Sequence, residues 1–99
     1  MERRRFARHA VAVPVRVKDG AREVALETVD ISGGGMSLKM ESALLAGTKV
    51  KVVIEGFGEF DGSVVDGGQV GRLALDISED EKAKLADDIV RKLADYMPV

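Results

Sequence analysis

Apolar and polar residues alternate along most of the first 77 positions, which is the period of half-buried β-strands. The clearest run is residues 11–18, where a valine at every second position alternates with polar or small residues. Five further segments show the same pattern: 22–29, 36–40, 50–55, 59–66 and 70–77. Glycine-containing turns separate most of these segments. Six short strands at this spacing favour a mainly β fold, a six-stranded antiparallel β-barrel rather than an open sheet with an exposed edge.

Three local signals refine this prediction. Asp19-Gly20 is a strong hairpin signal between the first two strands. Pro14 has no amide hydrogen, so we expect the first strand to lie at a sheet edge, or this residue to face away from a neighbouring strand. Between the third and fourth strands, the sequence ESALLAGT predicts a short helical turn or loop that Gly47 closes.

After residue 77 the apolar period changes to that of a helix. Ser78 with Glu81 three residues later forms a capping box, which begins a helix. Apolar residues then recur at helical spacing as far as Pro98: Leu85, Ile89, Leu93, and Tyr96 or Met97. The sequence therefore predicts a C-terminal amphipathic helix over residues 79–97. Its apolar stripe packs on the barrel or on a partner, and the barrel is the simpler expectation.

Length and composition indicate a single domain. The 99 residues, 45% hydrophobic and 32% charged, allow one modest core, so we expect a flexible arginine-rich arm, residues 1–9, before one domain, residues 10–99. No window has the roughly 18 consecutive apolar residues of a transmembrane helix. The first apolar run is too short for an export signal. With no cysteine either, the composition favours a soluble, cytoplasmic protein with no membrane partner.

The net charge of −2 hides an uneven distribution. Residues 1–22 hold seven basic and two acidic side chains, a charge of +5. The rest of the chain holds eight basic and fifteen acidic side chains, a charge of −7. A basic arm on an acidic body predicts either an anionic partner for the arm or docking of the arm onto the body, and charge alone favours neither.

The sequence contains few residues suited to catalysis or metal binding. Asp30, Ser32 and His9 have the residue types of a catalytic triad, but the serine lies in DISGG rather than in a nucleophile elbow, and the histidine lies in the arm. One histidine and no cysteine leave only carboxylates for a metal. The acidic cluster at residues 79–81 is better explained by the dipole of the helix it begins. We therefore predict no enzyme, no metal site and no resident cofactor.

The first segment with binding chemistry is RRRFAR, residues 3–8. Arg4 and Arg8 are four residues apart and project from the same side of an extended or helical arm. A guanidinium can bond the O6 and N7 acceptors of guanine, stack on its face, or hold a phosphate with two hydrogen bonds. The alternative is a solvated basic terminus without a ligand.

The second segment is DISGGG. Asp30 can accept hydrogen bonds from N1 and N2 of guanine, and Ser32 can add a hydroxyl contact. Gly35 lets the backbone approach a flat base, and Gly33 and Gly34 are expected to give the turn positive φ angles. The alternative is an ordinary glycine-rich loop in which the acid makes a local turn hydrogen bond. An arm that binds guanine acceptors beside a loop that binds guanine donors predicts a pocket for an anionic guanine nucleotide.

The pair Arg4-x-x-x-Arg8 and the run Asp30-x-Ser32-x-x-Gly35 resemble the two-part signature of the PilZ domain, the bacterial receptor module for cyclic di-GMP. The order of predicted strands and helix is similar over essentially the whole chain. The resemblance implies a six-stranded barrel on whose surface the three hairpin residues hold a guanine, while the two arginines contact guanine and phosphate.

Further expectations come from this resemblance. Arg3 and Arg5 would add phosphate or stacking contacts when two intercalated ligand molecules bind. Ligand binding would order the arm and signal to a partner protein in trans, in motility, surface attachment or exopolysaccharide control, from a monomer or weak homodimer. One alternative is a PilZ-like interaction adaptor that binds no nucleotide. A nucleic-acid-binding barrel is disfavoured by the acidic body and the few aromatic residues.

Overall fold

Residues 6–40 and 44–92 are described by a computed structural model, and they form six β-strands and one α-helix. The elements are β1 (Pro14–Asp19), β2 (Arg22–Ser32), β3 (Gly35–Lys39), β4 (Lys49–Ile54), β5 (Gly58–Asp66), β6 (Val70–Leu75) and α1 (Glu79–Lys92). All neighbouring strands are antiparallel and close a barrel in the order β1-β2-β3-β6-β5-β4. The predicted mainly β, six-stranded barrel with a C-terminal helix is confirmed.

Aliphatic side chains from all six strands fill the barrel, which explains the alternation in the sequence. The buried strand residues are Val15, Val17, Ile31, Met36, Leu38, Val50, Val52, Ile54, Val64, Leu73 and Leu75. Polar neighbours of these residues face outward, so one face of each strand supplies the core and the other the surface.

Pro14 is the first residue of β1, and of the two positions expected for it, the edge strand is wrong. β1 pairs with β2 on one side and with β4 on the other. The proline is tolerated because it is the first residue of the strand. Its carbonyl still accepts a hydrogen bond of 3.2 Å from the amide of Glu55, one residue beyond the end of β4.

The capping box predicted at the start of α1 is present. Ser78 Oγ accepts a hydrogen bond of 3.1 Å from the amide of Glu81, and Glu81 Oε1 accepts one of 3.3 Å from the amide of Ser78. Leu85 and Ile89 are buried in the barrel core, so the described part of the helix packs on its own barrel. The predicted end of the helix, residues 93–97, lies outside the described residues.

The helix lies across one end of the barrel, between two hairpin turns. Near its start, the carbonyl of Lys82 approaches Gly33 in the β2–β3 turn. At its end, Lys92 donates a hydrogen bond to the carbonyl of Gly56, and its ammonium lies 4.9 Å from the ring centre of Phe57. Within residues 6–40 and 44–92, no helix combines the length and apolar character needed to cross a membrane.

Candidate functional site

A β-bulge places the candidate acid on the outer surface of the barrel. Thr28 of β2 faces inward, and strict alternation would place Asp30 inside as well. The register of β2 against β3 skips Val29, so that Asp30 pairs with Ser37. Ile31 is then the next inward residue, with 1% of its surface exposed. Val29 and Asp30, which lie between the inward residues Thr28 and Ile31, therefore both face outward. The Asp30 carboxylate is thus available to a ligand.

The Asp30 carboxylate is held from two sides. Its Oδ1 accepts a hydrogen bond of 2.6 Å from Nη1 of Arg8 and one of 3.3 Å from the amide of Ser37. The arm reaches this position because His9 and Ile31 exchange backbone hydrogen bonds of 2.9 and 3.0 Å beside β2. One arginine of the first motif thus contacts the acid of the second, in a short, charge-assisted bond.

This ion pair remains open to solvent. The side chain of Asp30 is 26% exposed and that of Arg8 is 44% exposed. A pair this exposed adds little stability to the fold, of the order of 0 to 1 kcal/mol. Both side chains can therefore exchange their mutual contact for contacts with a ligand at small cost.

Ser32 forms its hydrogen bonds within the hairpin. Its Oγ donates to the carbonyl of Gly35 at 3.2 Å and accepts from the amide of Gly34 at 3.3 Å. The residue is 5% exposed. The hydroxyl therefore fastens the two-residue turn between β2 and β3. A direct contact of Ser32 with a ligand stays a prediction.

The positive φ angles predicted for Gly33 and Gly34 are wrong. Positive φ angles occur in other turns, at Gly20, Gly47, Gly56 and Gly58. Close backbone packing explains the glycines instead: a Cβ on Gly33 would lie 2.3 Å from the carbonyl oxygen of Lys82, and a Cβ on Gly35 2.3 Å from that of Leu73. No real Cβ tolerates such a distance, so the first glycine accommodates α1 and the second accommodates β6.

The structure brings together only part of the predicted site. Arg8, Asp30, Ser32 and Gly35 lie on one face of the β2–β3 hairpin. Arg3, Arg4 and Arg5 lie outside the described residues, so their ligand contacts, like the predicted flexibility of residues 1–9, stay predictions. Within the arm's described part, the ring of Phe6 lies near the turn, 3.9 Å from where a Cβ on Gly34 would be.

Sequence reasoning missed Ser37 as a support of the site. Its amide fixes the Asp30 carboxylate, and the bulge at Val29 determines this contact. A signal was present in the sequence, because the inward residues of β2 occupy even positions up to Thr28 and then change to the odd position of Ile31. Such a change of phase within one strand indicates a bulge.

A surface groove lies elsewhere on the barrel. It has a volume of about 380 Å³ and lies over β1, β2 and β4, lined by Pro14, Val15, Arg16, Ala25, Leu26, Val53 and Glu55. Of the candidate site residues that the structure describes, Arg8, Asp30, Ser32 and Gly35, none lines this groove. In the described part of the chain, no three His, Asp or Glu side chains gather where they could hold a metal ion.

The fold and the site define a small β-barrel in which Arg8 of the N-terminal arm pairs with Asp30 of the β2–β3 hairpin, an arrangement suited to binding a ligand on the barrel surface. The PilZ domain family model matches residues 2–91. The chain belongs to the PilZ domain family, and the resemblance found in its two motifs is confirmed. Among curated proteins, none matches the sequence.

Solved structures show the same fold. The PilZ domain of CeSA from a cellulose-synthesizing bacterium is 25% identical with a TM-score of 0.67, over 89% of this chain and 98% of that one. The Bacillus subtilis inhibitor of motility MotI/DgrA is 17% identical with a TM-score of 0.65, over 96% of this chain and 53% of that one. Escherichia coli YcgR in complex with c-di-GMP is 20% identical with a TM-score of 0.59, over 95% of this chain and 47% of that one. The chain thus spans about half the length of the last two.

Proposed function

We propose that this protein is a non-enzymatic, cytoplasmic receptor for cyclic di-GMP. The observation that carries the proposal is the contact between Arg8 and Asp30 on the outer face of the hairpin, which unites the two motifs in one site. Membership of the PilZ family supports the proposal, as does the cyclic di-GMP complex of YcgR. No resident cofactor is part of the proposal.

The two side chains have complementary roles toward guanine. Asp30 is acceptor-only when ionised and matches the N1 and N2 donors of the base. Arg8 is donor-only and matches either the O6 and N7 acceptors or a phosphate oxygen. Bound ligand would replace the 2.6 Å bond between them by bonds of each to the nucleotide. Cyclic di-GMP carries two negative charges, so the positive arm is needed beside an otherwise acidic body.

The output of the receptor is proposed to be a partner protein that recognises the ordered arm, barrel and nucleotide together. Motility, surface attachment and exopolysaccharide synthesis are the processes proposed for that partner. The named role of MotI/DgrA as an inhibitor of motility is consistent with the first of them.

Calorimetric titration with cyclic di-GMP tests the proposal, with cyclic di-AMP and GTP as controls. We expect saturable binding of cyclic di-GMP alone. Arg8→Ala should weaken the affinity for cyclic di-GMP about ten-fold to more than a hundred-fold, because that is the change in affinity that corresponds to the loss of one hydrogen bond to a charged group. Arg16→Ala is the matched control, because Arg16 is exposed and pairs with Ala25, about 15 Å along β2 from Asp30. Equal affinity of the two variants would remove the arm from the mechanism.

A PilZ-like adaptor that binds no nucleotide is the second candidate. The same ion pair is compatible with it, since Arg8 and Asp30 satisfy each other's charge. Absence of both binding heat and a thermal shift at high cyclic di-GMP concentration would support this candidate and refute the receptor.

A further inference from the structure

Three polar side chains form a row across the outer face of β2, β3 and β6. Asp30 pairs with Ser37, and Ser37 pairs in turn with Arg72. Residues directly opposite each other in antiparallel strands project from the same face of the sheet. Arg72 therefore shares the surface of the candidate site, although it belongs to neither sequence motif.

Arg72 and the arm lie on opposite sides of Asp30. His9 holds the arm along the side of β2 away from β3, which places Arg8 on one side of Asp30. Arg72 lies two strands away on the other side, at a Cα separation of about 10 Å from Asp30 given the usual strand spacing. The acid thus lies between two guanidinium groups on a single face.

The guanidinium of Arg72 is available. The residue is exposed, and among residues 6–40 and 44–92 no carboxylate lies within ion-pair distance of it. Its cross-strand neighbour Asp66 instead accepts a 3.0 Å hydrogen bond from the amide of Gly68.

Only a short side chain of β3 lies between Asp30 and Arg72 on this face of the sheet. Ser37, the short side chain between Asp30 and Arg72, is 9% exposed. In the adjacent outward row, Gly35 pairs with Ala74, so that a hydrogen and a methyl group are the only side-chain atoms there. A flat group bound to Asp30 that extends over β3 toward β6 therefore meets only short side chains of β3 before it reaches Arg72.

We propose that Arg72 is a further ligand-binding residue, whose guanidinium holds a phosphate of the guanine dinucleotide that Asp30 binds through its base. This assignment rests on the proposed receptor function. A nucleotide bound by its base edge at Asp30 must direct its phosphate away from the carboxylate, and Arg72 supplies on the β6 side a cation that pairs with no described carboxylate. Arginine suits the role because its planar fork bonds two phosphate oxygens at once.

The test compares Arg72→Ala and Arg72→Lys with the control Arg16→Ala, which removes the same charge from an exposed strand position of β1. Cyclic di-GMP is titrated by calorimetry into each variant and into the full unmodified chain. We expect Arg72→Ala to bind about ten-fold to a hundred-fold more weakly than the control, and Arg72→Lys to recover part of that loss. Thermal denaturation of each variant checks the fold, and Arg72→Gln replaces the alanine variant if that one does not fold.

Two results would overturn the inference, and they are distinguishable. If the unmodified chain binds cyclic di-GMP and Arg72→Ala binds as tightly as Arg16→Ala, the receptor function stands and the role of Arg72 is refuted. If the unmodified chain binds no cyclic di-GMP, both the receptor function and this assignment fall. A loss of affinity that lysine partly restores supports the phosphate contact, because a purely steric role would not depend on a positive charge.

Discussion

Replacing Asp30 separates its structural from its ligand-binding role. In the free protein the carboxylate makes an exposed ion pair with Arg8 and accepts the amide of Ser37. Asp30→Asn retains an oxygen for the amide and loses only the ion pair, worth at most about 1 kcal/mol. Asp30→Ala also leaves the Ser37 amide without this acceptor, which costs about 1 to 3 kcal/mol.

These magnitudes convert into measurable shifts. For a domain of this size each kcal/mol lowers Tm by about 4 to 8 °C. We expect a Tm fall of a few degrees for Asp30→Asn and a clearly larger one for Asp30→Ala. Differential scanning calorimetry of the free proteins measures both, and equal Tm values for the two variants would contradict the structural role of the Ser37 bond.

The binding effect of Asp30→Ala should be a loss of base selectivity. Only a carboxylate at this position accepts from both N1 and N2 of guanine, whereas adenine has no such pair of donors. We expect cyclic di-GMP to lose about ten-fold to more than a hundred-fold in affinity. Titrations with cyclic di-GMP and cyclic di-AMP give the ratio of affinities. An unchanged ratio in a folded Asp30→Ala protein would refute the guanine contact.

Two further predictions concern stability. Gly33→Ala should destabilise the protein by about 1 to 3 kcal/mol, because the new Cβ meets the carbonyl of Lys82 in α1. Gly34→Ala is the matched control, because the atom nearest to its new Cβ is 3.9 Å away. Urea denaturation compares the two variants, and equal stabilities would contradict the tight contact at Gly33. Ser78→Ala should cost about 0.5 to 2 kcal/mol through the lost capping bonds to Glu81, and an unchanged urea midpoint would show that the cap contributes nothing.

The strand pattern was predictable because one face of each strand is buried. Alternating apolar residues predicted all six strands, Asp19-Gly20 predicted a turn in which Gly20 does adopt a positive φ of 62°, and the capping box predicted the start of α1. These features depend on residues near one another in the chain, so local physical chemistry determines them.

The site was only partly predictable because its geometry depends on strands distant in the sequence. Both motifs are visible in the sequence, but the alternation predicts that β2 ends at Val29, whereas the strand continues to Ser32. The bulge that permits this continuation is a property of the pairing with β3. Arg72 was not identified at all, since its relation to Asp30 follows from the barrel order, which places β6 beside β3.

Two of the three consecutive glycines, Gly33 and Gly35, have a physical explanation that does not require a ligand. A glycine within regular structure costs about 0.5 to 1 kcal/mol relative to alanine, so residues 33–35 give up a few kcal/mol of backbone stability. Gly33 offsets this cost by letting α1 rest on the hairpin turn, and Gly35 by letting β6 approach β3. Gly34 has neither constraint. Because packing requires Gly33 and Gly35, their presence alone is no evidence for nucleotide binding, and that evidence must come from the side chains of Arg8 and Asp30.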